Sequence, residues 1–417
     1  MAGSLPNIEI QTLENNLAVA AVSTKNKTGV VSVDLFYKVG SRNEVMGKSG
    51  IAHMLEHMNF KSSKNLAAGE FDRVVKSYGG VTNASTGFDY THYFVKSSSQ
   101  NIDKSLELFA ELMQNLSLKD DEFQPERKVV AEERRWRTEN SPFGAMYFEL
   151  FNIAYQYHSY HWTPIGFMGD IESWSIEDIK TFHSAWYQPQ NAVLLVAGDF
   201  EASELFKLAK KHFGAIPNKA AHKQIITVEP EQRGARRSEI KRESEVEMVM
   251  IAWKIPAFNH RDMPSINALA SLFSEGQSSR LQEKLIDKLR LVNSISAYAM
   301  DLSDPGLFIV SAICNPNVKA ERVEKEILAE IAIAREKPPS QKEVEKIKIM
   351  ARSEFVRSLE SSDLLASIFG DHLIRGDLKP LLNYEESIVK LTPSDILAAA
   401  QNYLNPDRSV TIILRNK

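Results

Sequence analysis

The sequence predicts an α+β protein of two homologous domains, each a mostly antiparallel sheet with helices packed on one face. Three observations carry that expectation. Strand-like and helix-like patterns run in one order through the first half and recur in the same order in the second. Each half closes on a continuous apolar strand, NAVLLVAGDF at 191–200 and SVTIILRN at 409–416. Between the halves, PNKAAHKQIITVEPEQRGARRSEI (217–240) is polar, charged and broken by Pro and Gly, the composition of a linker. At 417 residues the chain exceeds what one ordinary core holds. The expected division is a first domain over 1–218, a linker over 219–236 and a second domain over 237–417.

In the first half the strand patterns IEIQTL, LAVAAVS and VVSVDLFYKVGS come first. A helix is expected around 49–59, and another near 67–78 that stops on the pair Gly79–Gly80. VTNASTGFDYTHYFVKS, rich in β-branched and aromatic residues, reads as one or two strands. Two more helices follow, at 101–116 and from near Pro125, a residue favoured in a first helical turn. In the second half VEMVMIAWKIPA repeats VVSVDLFYKVGS, and SINALASLFSEGQSS repeats GIAHMLEHMNFKSS. The strand pair SISAYAMD and GLFIVSAIC and long helices at 319–336 and 341–360 complete the copy. Aligning Phe273 with Phe60 puts Ile266, Leu269 and Ala270 where the first copy has His53, Glu56 and His57. Any chemistry those three carry belongs to the first copy alone.

Composition narrows the function. An apolar fraction of 43% and a charged fraction of 25% are ordinary for a globular chain, and a net charge of −4 gives no broad attraction to nucleic acid or anionic lipid. No window approaches the roughly 18 uninterrupted apolar residues of a membrane-spanning helix. The start, MAGSLPNIEIQTLENN, lacks the basic residues and apolar run of a secretory signal. The expectation is a cytoplasmic chain, or a periplasmic one if a signal has been removed. Cys314 is the only cysteine, which excludes an intrachain disulfide and a cysteine-rich zinc cluster. In the run FIVSAIC it reads as a small buried apolar residue.

His53, Glu56 and His57 form H-x-x-E-H within the apolar stretch GIAHMLEHMNF. On a helix, positions i, i+3 and i+4 share a face, so two neutral imidazoles can chelate one zinc ion with a carboxylate beside them. That carboxylate suits a general base acting on a metal-activated water, and H-x-x-E-H is the inverzincin array. The same pattern is also compatible with two hydrogen-bonded core histidines. A catalytic zinc needs a third protein ligand, an acid or a histidine from elsewhere in the fold. In ERKVVAEERRWRTEN, Glu126 and Glu133 lie seven apart and share a face with Val130, while Glu132 lies about 100° round the helix.

Taken together, H-x-x-E-H and E-R-x-V-V-x-x-E resemble the pitrilysin, insulysin and mitochondrial processing peptidase family. FYKVGSRNE ahead of GKSGIAHMLEHMNFKSS follows that family's first-domain pattern, GGVTNASTGFDYTHYF resembles its substrate-binding edge strand, and WYQPQNAVLLVAGDF its domain-closing strand. The likeness covers essentially the whole chain. It implies half of the clamshell that larger members build from four such domains. It also implies one zinc ion per chain held by His53, His57 and Glu133, with Glu56 as general base and Glu126 orienting a ligand histidine. Asn83 and Ala84 would hold substrate backbone as an added strand, a mode that takes peptides and unfolded polypeptides.

One departure bears on activity. Catalytic relatives supply an Arg and a Tyr seven residues apart from a later domain, contacting substrate and the developing oxyanion. In EGQSSRLQEKLIDKLRLVNSISAYA the matching positions hold Ile286 and Asn293, and neither donates as Arg and Tyr do. Arg280, Arg290 and Tyr298 are out of register; the arginines read as surface residues and the tyrosine as strand packing. Oxyanion donors are worth about 3–4 kcal/mol each in other hydrolases. The resemblance therefore implies a zinc-bearing chain that works as a homodimer or beside a related chain carrying the Arg/Tyr pair. The rival implication is a non-catalytic subunit that uses the fold to hold partners, as core subunits of a respiratory complex do, although those generally lose the metal array.

The other singular residues read as structure. His158, His161 and Trp162 sit in YQYHSYHWTPIG, where Pro164 and Gly166 indicate a loop, and His92 reads as a cross-strand or core residue. RGARRSEIKRE (233–243) reads as solvated linker and EVEKIKIMARSEFVRSLE as an amphipathic surface helix.

Overall fold

The computed structural model describes residues 5–221 and 225–417. The first four residues of the N-terminal stretch and residues 222–224 of the expected linker lie outside that range. In chain order the first half forms β1 (Glu9–Thr12), β2 (Ala18–Ser23), β3 (Val30–Tyr37), α1 (Ile51–Asn59), α2 (Glu70–Ser77), β4 (Val81–Thr86) and β5 (Thr91–Ser98). Then come α3 (Ile102–Asn115), α4 (Asp120–Arg134), α5 (Pro142–Ala154), α6 (Met168–Ser173), α7 (Ile176–Trp186), β6 (Ala192–Gly198) and α8 (Ala202–Phe213). The second half forms β7 (Arg236–Arg242), β8 (Met248–Lys254), α9 (Met263–Ser274), β9 (Val292–Met300), β10 (Leu307–Cys314), α10 (Ala320–Glu336) and α11 (Gln341–Ser358). It ends with α12 (Ser362–Arg375), α13 (Lys379–Leu382), α14 (Tyr384–Lys390), α15 (Pro393–Tyr403) and β11 (Val410–Asn416).

The strands make two mixed sheets, ordered β1-β2-β6-β3-β5-β4 and β7-β11-β8-β10-β9. Each has one parallel pair, β2 with β6 and β7 with β11, and is otherwise antiparallel. Burial explains the order. β6 is buried throughout and β3 at every residue but its first, as continuous apolar runs require of central strands. β4 alternates exposed and half-buried residues, which suits the outermost place it takes.

The chain falls into two compact units. The first comprises the chain as far as Arg134, with Trp162–Ile226 and Phe355–Leu382; the second comprises Arg135–His161, Thr227–Glu354 and Asn383–Lys417. The units follow the two sheets, but α5 belongs to the second and α12 to the first, an exchange that boundaries at 218 and 237 do not describe.

In the first unit, α1 packs on the face that carries Tyr37 and Tyr93, whose rings meet edge-on at 6.1 Å. The opposite face, with Phe36 and His92 stacked at 4.0 Å, is covered by α12. The approach there is close enough to demand glycine: a Cβ on Gly370 would lie 2.2 Å from the Phe36 ring. In the second unit, Val249, Ile251 and Trp253 of β8 join Leu269 of α9, Phe308 and Val310 of β10 and Ile327 of α10 in one core. α5 lies against β7, β8 and β11. Cys314 is buried at the end of β10, and burial pushes its thiol up to about 12. Among the described residues no helix is long and apolar enough to cross a membrane.

Three expectations need correction. The helix expected from Pro125 begins at Asp120, so the proline lies inside it, and the acidic start Asp120–Asp121–Glu122 favours the positive end of the helix dipole. The stretch 233–243 is not all solvated linker, because β7 pairs in parallel with β11 through residues 236–242. Arg280 is not a surface residue: it is largely buried and paired with Glu343 at 2.8 Å. The loop and core histidines are structural. His158 bonds Asp304 at 2.9 Å, His161 bonds the Tyr155 carbonyl at 2.6 Å, and His92 bonds Asp34 at 2.7 Å.

Candidate metal centre

The centre is built on α1 and α4 of the first unit. Ile51, Met54, Leu55 and Met58 of α1 are buried, which turns His53 and His57 toward α4 and Glu56 toward β4. The start of α1 is fixed by two acids. The Glu44 carboxylate accepts from the amides of Gly50 at 2.8 Å and Ala52 at 2.9 Å and from the Trp162 indole at 2.7 Å. Asp170 accepts from the amide and hydroxyl of Ser49. Burial drives the Glu44 carboxyl up to about 8 even against its three donors. Gly50 takes φ +83°, and a Cβ there would meet the Ile165 carbonyl at 2.6 Å. On α4, Val130 is fully buried, placing Glu126 and Glu133 on the side facing α1, while Glu132 is exposed.

One carboxylate oxygen of Glu133 lies 3.4 Å from Nε2 of His57 and 3.6 Å from Nε2 of His53. The two imidazoles stand edge-on with centroids 4.7 Å apart, and the three donor atoms all lie within 4.8 Å of one another. Tetrahedral zinc with bonds of about 2.0–2.1 Å spaces its ligands about 3.3–3.4 Å apart, so two imidazoles and a carboxylate at these separations fit the ion in both chemistry and distance.

The surroundings organise these donors. Glu126 accepts from Nδ1 of His57 at 2.8 Å, which leaves Nε2 turned to Glu133 and His53, and Lys61 pairs with the other Glu126 oxygen at 2.5 Å. Burial alone would lower the His57 pKa, but hydrogen bonds to Glu126 and Glu133 outweigh it and push it up to about 9. Burial raises the Glu126 carboxyl, and His57 and Lys61 more than reverse that. Glu56 points to a different neighbour, accepting from the Thr86 hydroxyl at 2.5 Å.

Of the five residues singled out around H-x-x-E-H, His53, His57 and Glu133 converge, Glu126 bonds His57, and Glu56 bonds Thr86. Asn83 and Ala84 sit on β4, the outermost strand of the same sheet, where the Asn83 side chain accepts from the Ala84 amide at 2.9 Å. Glu44, Lys61, Thr86 and Asp170 escaped the sequence reading, as did the bond from Trp162 to Glu44. Glu44 falls inside the quoted FYKVGSRNE, but nothing in spacing alone assigns it to the start of α1. In the second unit Ile286 packs partly buried against the core and Asn293 is exposed on β9.

The chain belongs to the insulinase family, peptidase family M16: a model described as Insulinase (Peptidase family M16) matches residues 19–159, and one described as Peptidase M16 inactive domain matches residues 173–350. It is 51% identical over 415 residues to the zinc protease PqqE of Helicobacter pylori, covering 99% of this chain and 93% of that one. A crystal structure of a protease from H. pylori, 51% identical, superposes with a TM-score of 0.97 over 99% of this chain and 100% of that chain. The periplasmic protease PqqL of Escherichia coli, 19% identical, shares the fold with a TM-score of 0.82 over all of this chain and 48% of its own length.

Proposed function

We propose that this chain is a zinc-dependent endopeptidase acting on peptides and unfolded polypeptides. The observation that carries the reading is the meeting of His53, His57 and Glu133 around one point with Glu56 alongside. His53, His57 and Glu133 would hold the ion, which when bound lowers the pKa of a coordinated water toward neutrality and polarises a carbonyl. Glu126, itself held by Lys61, fixes the tautomer of His57 so that Nε2 is the ligating atom. Glu56 is not among the donors that converge, so it is available to take a proton from the attacking water and return it to the leaving amine. The outer edge of β4 accepts substrate backbone as an added strand alongside Asn83 and Ala84, pairing at Ala84, whose amide and carbonyl turn away from β5, which selects extended chains over folded ones.

Ile286 and Asn293 stand where catalytic relatives carry Arg and Tyr, which favours a second reading of the same site: a chain that cleaves well only in a homodimer or with a related Arg/Tyr-bearing chain, or that serves as a non-catalytic subunit. The experiment is cleavage of a fluorogenic peptide by wild type and Glu56→Gln, each zinc-loaded and sized by light scattering. The expected result is retained zinc with a loss of cleavage of about a hundredfold or more in the variant, with activity in the dimeric fraction. Equal rates in the two proteins would eliminate Glu56 as the base, and a fully active monomer would eliminate the pairing.

A further inference from the structure

β4 has a property that neither the metal donors nor the edge backbone accounts for. The Gly87 amide donates to the Tyr90 carbonyl at 2.9 Å, so these two form a hydrogen-bonded pair across the hairpin. Antiparallel pairs alternate, and the register runs Thr86 opposite Thr91 and Ala84 opposite Tyr93. Thr82, Ala84 and Thr86 are therefore the residues whose backbone N–H and C=O turn outward from the sheet, toward an incoming strand. Their side chains project on the face shared with Tyr93, whose hydroxyl accepts from Asn59 of α1 at 2.8 Å. That is the face on which α1 lies.

Thr86 thus faces two ways. Its backbone ends the outward-facing row of β4, and its hydroxyl donates to Oε2 of Glu56 at 2.5 Å. We propose that Thr86 is the positioning residue of Glu56, registering the carboxylate against a peptide laid along β4. This deepens the peptidase reading and rests on it. A carboxylate anchored through one oxygen loses rotation about its last bond, and the anchor lies on the strand that would bind substrate. The distance from the base to the scissile bond is then set by the residue that also sets the peptide's register. Threonine suits the task because its branched Cβ leaves few rotamers. Serine keeps the hydroxyl with more freedom, and valine keeps the shape without the hydroxyl.

The test compares Thr86→Val and Thr86→Ser with wild type in the intact zinc-loaded protein. The proposal expects kcat for a fluorogenic peptide to fall about ten- to a hundredfold in T86V, with KM little changed because the strand backbone is retained. T86S should recover most of the loss, with zinc content and melting temperature held in both. An unaltered kcat in T86V overturns the proposal. So does a rise in KM at constant kcat, or a loss that tracks a fall in melting temperature and that serine does not rescue. A second readout does not depend on turnover. Crystal structures of T86V and wild type should show the Glu56 carboxylate swung away from its wild-type position, and an unmoved carboxylate overturns the proposal whether or not the wild type cleaves peptide. A wild type without peptidase activity but with the carboxylate displaced in T86V overturns the peptidase reading and leaves the positioning in place.

Discussion

At the scale of single residues, His57 is the member of the site whose charge the surroundings control most. Burial works against its protonation, but Glu126 at 2.8 Å and Glu133 at 3.4 Å prevail and raise it from 6.5 to about 9. A folded-state pKa above the unfolded value stabilises the fold fully below the unfolded pKa and loses that contribution as pH rises through the folded one. The metal-free protein should therefore lose stability between pH about 6.5 and about 9, and His57→Gln should flatten that part of the profile, as read from thermal midpoints after chelation. A midpoint independent of pH across this window would contradict the pairing. Zinc at the same place must displace the proton, so metal affinity should weaken as pH falls. The candidate ligands were legible in different ways: i, i+4 spacing found the histidines, whereas the seven-residue interval left Glu126 and Glu133 both open and Glu133 came from the resemblance to the pitrilysin and insulysin family. Thr86, Lys61 and Glu44 were not, because their roles depend on which strand or loop folds back onto α1.

At the scale of elements, the periodicities located α1, α3, β6, β10 and β11 closely, since each is long or continuously apolar. The helix ends were less legible. Pro125 suggested a start that lies five residues inside α4, because three consecutive acids supply an earlier one. The exchange of α5 and α12 was invisible for a different reason. Both helices are apolar enough to bury a face, but amphipathic patterning identifies a buried face without identifying the sheet it meets. Gly370 marks the seat of α12, where any side chain would strike the Phe36 ring. Gly370→Ala should cost about 1–3 kcal/mol through overpacking, measured by denaturant unfolding. A variant as stable as wild type would contradict the packing of α12 on β3 and β6.

At the scale of the whole chain, the duplication read from the sequence is borne out strand by strand. The order β2-β6-β3-β5-β4 in the first sheet corresponds to β7-β11-β8-β10-β9 in the second, with the parallel pair in the same place. The halves differ in chemistry rather than in architecture. Helix α9 puts Ile266 and Leu269 in its core where α1 presents His53 and Glu56, and the family model described as an inactive domain matches residues 173–350, which include α9. The duplication was legible because a repeated pattern constrains both copies at once, whereas the candidate site was legible only in the copy that departs from the repeat. The metal centre of the first unit is tested most directly by zinc K-edge absorption on the protein loaded with one equivalent of metal. The predicted spectrum has two imidazole nitrogens and carboxylate or water oxygen at about 2.0–2.2 Å, with one imidazole lost in His53→Ala. A zinc ion ligated without imidazole, or one whose spectrum is unchanged in that variant, would contradict it.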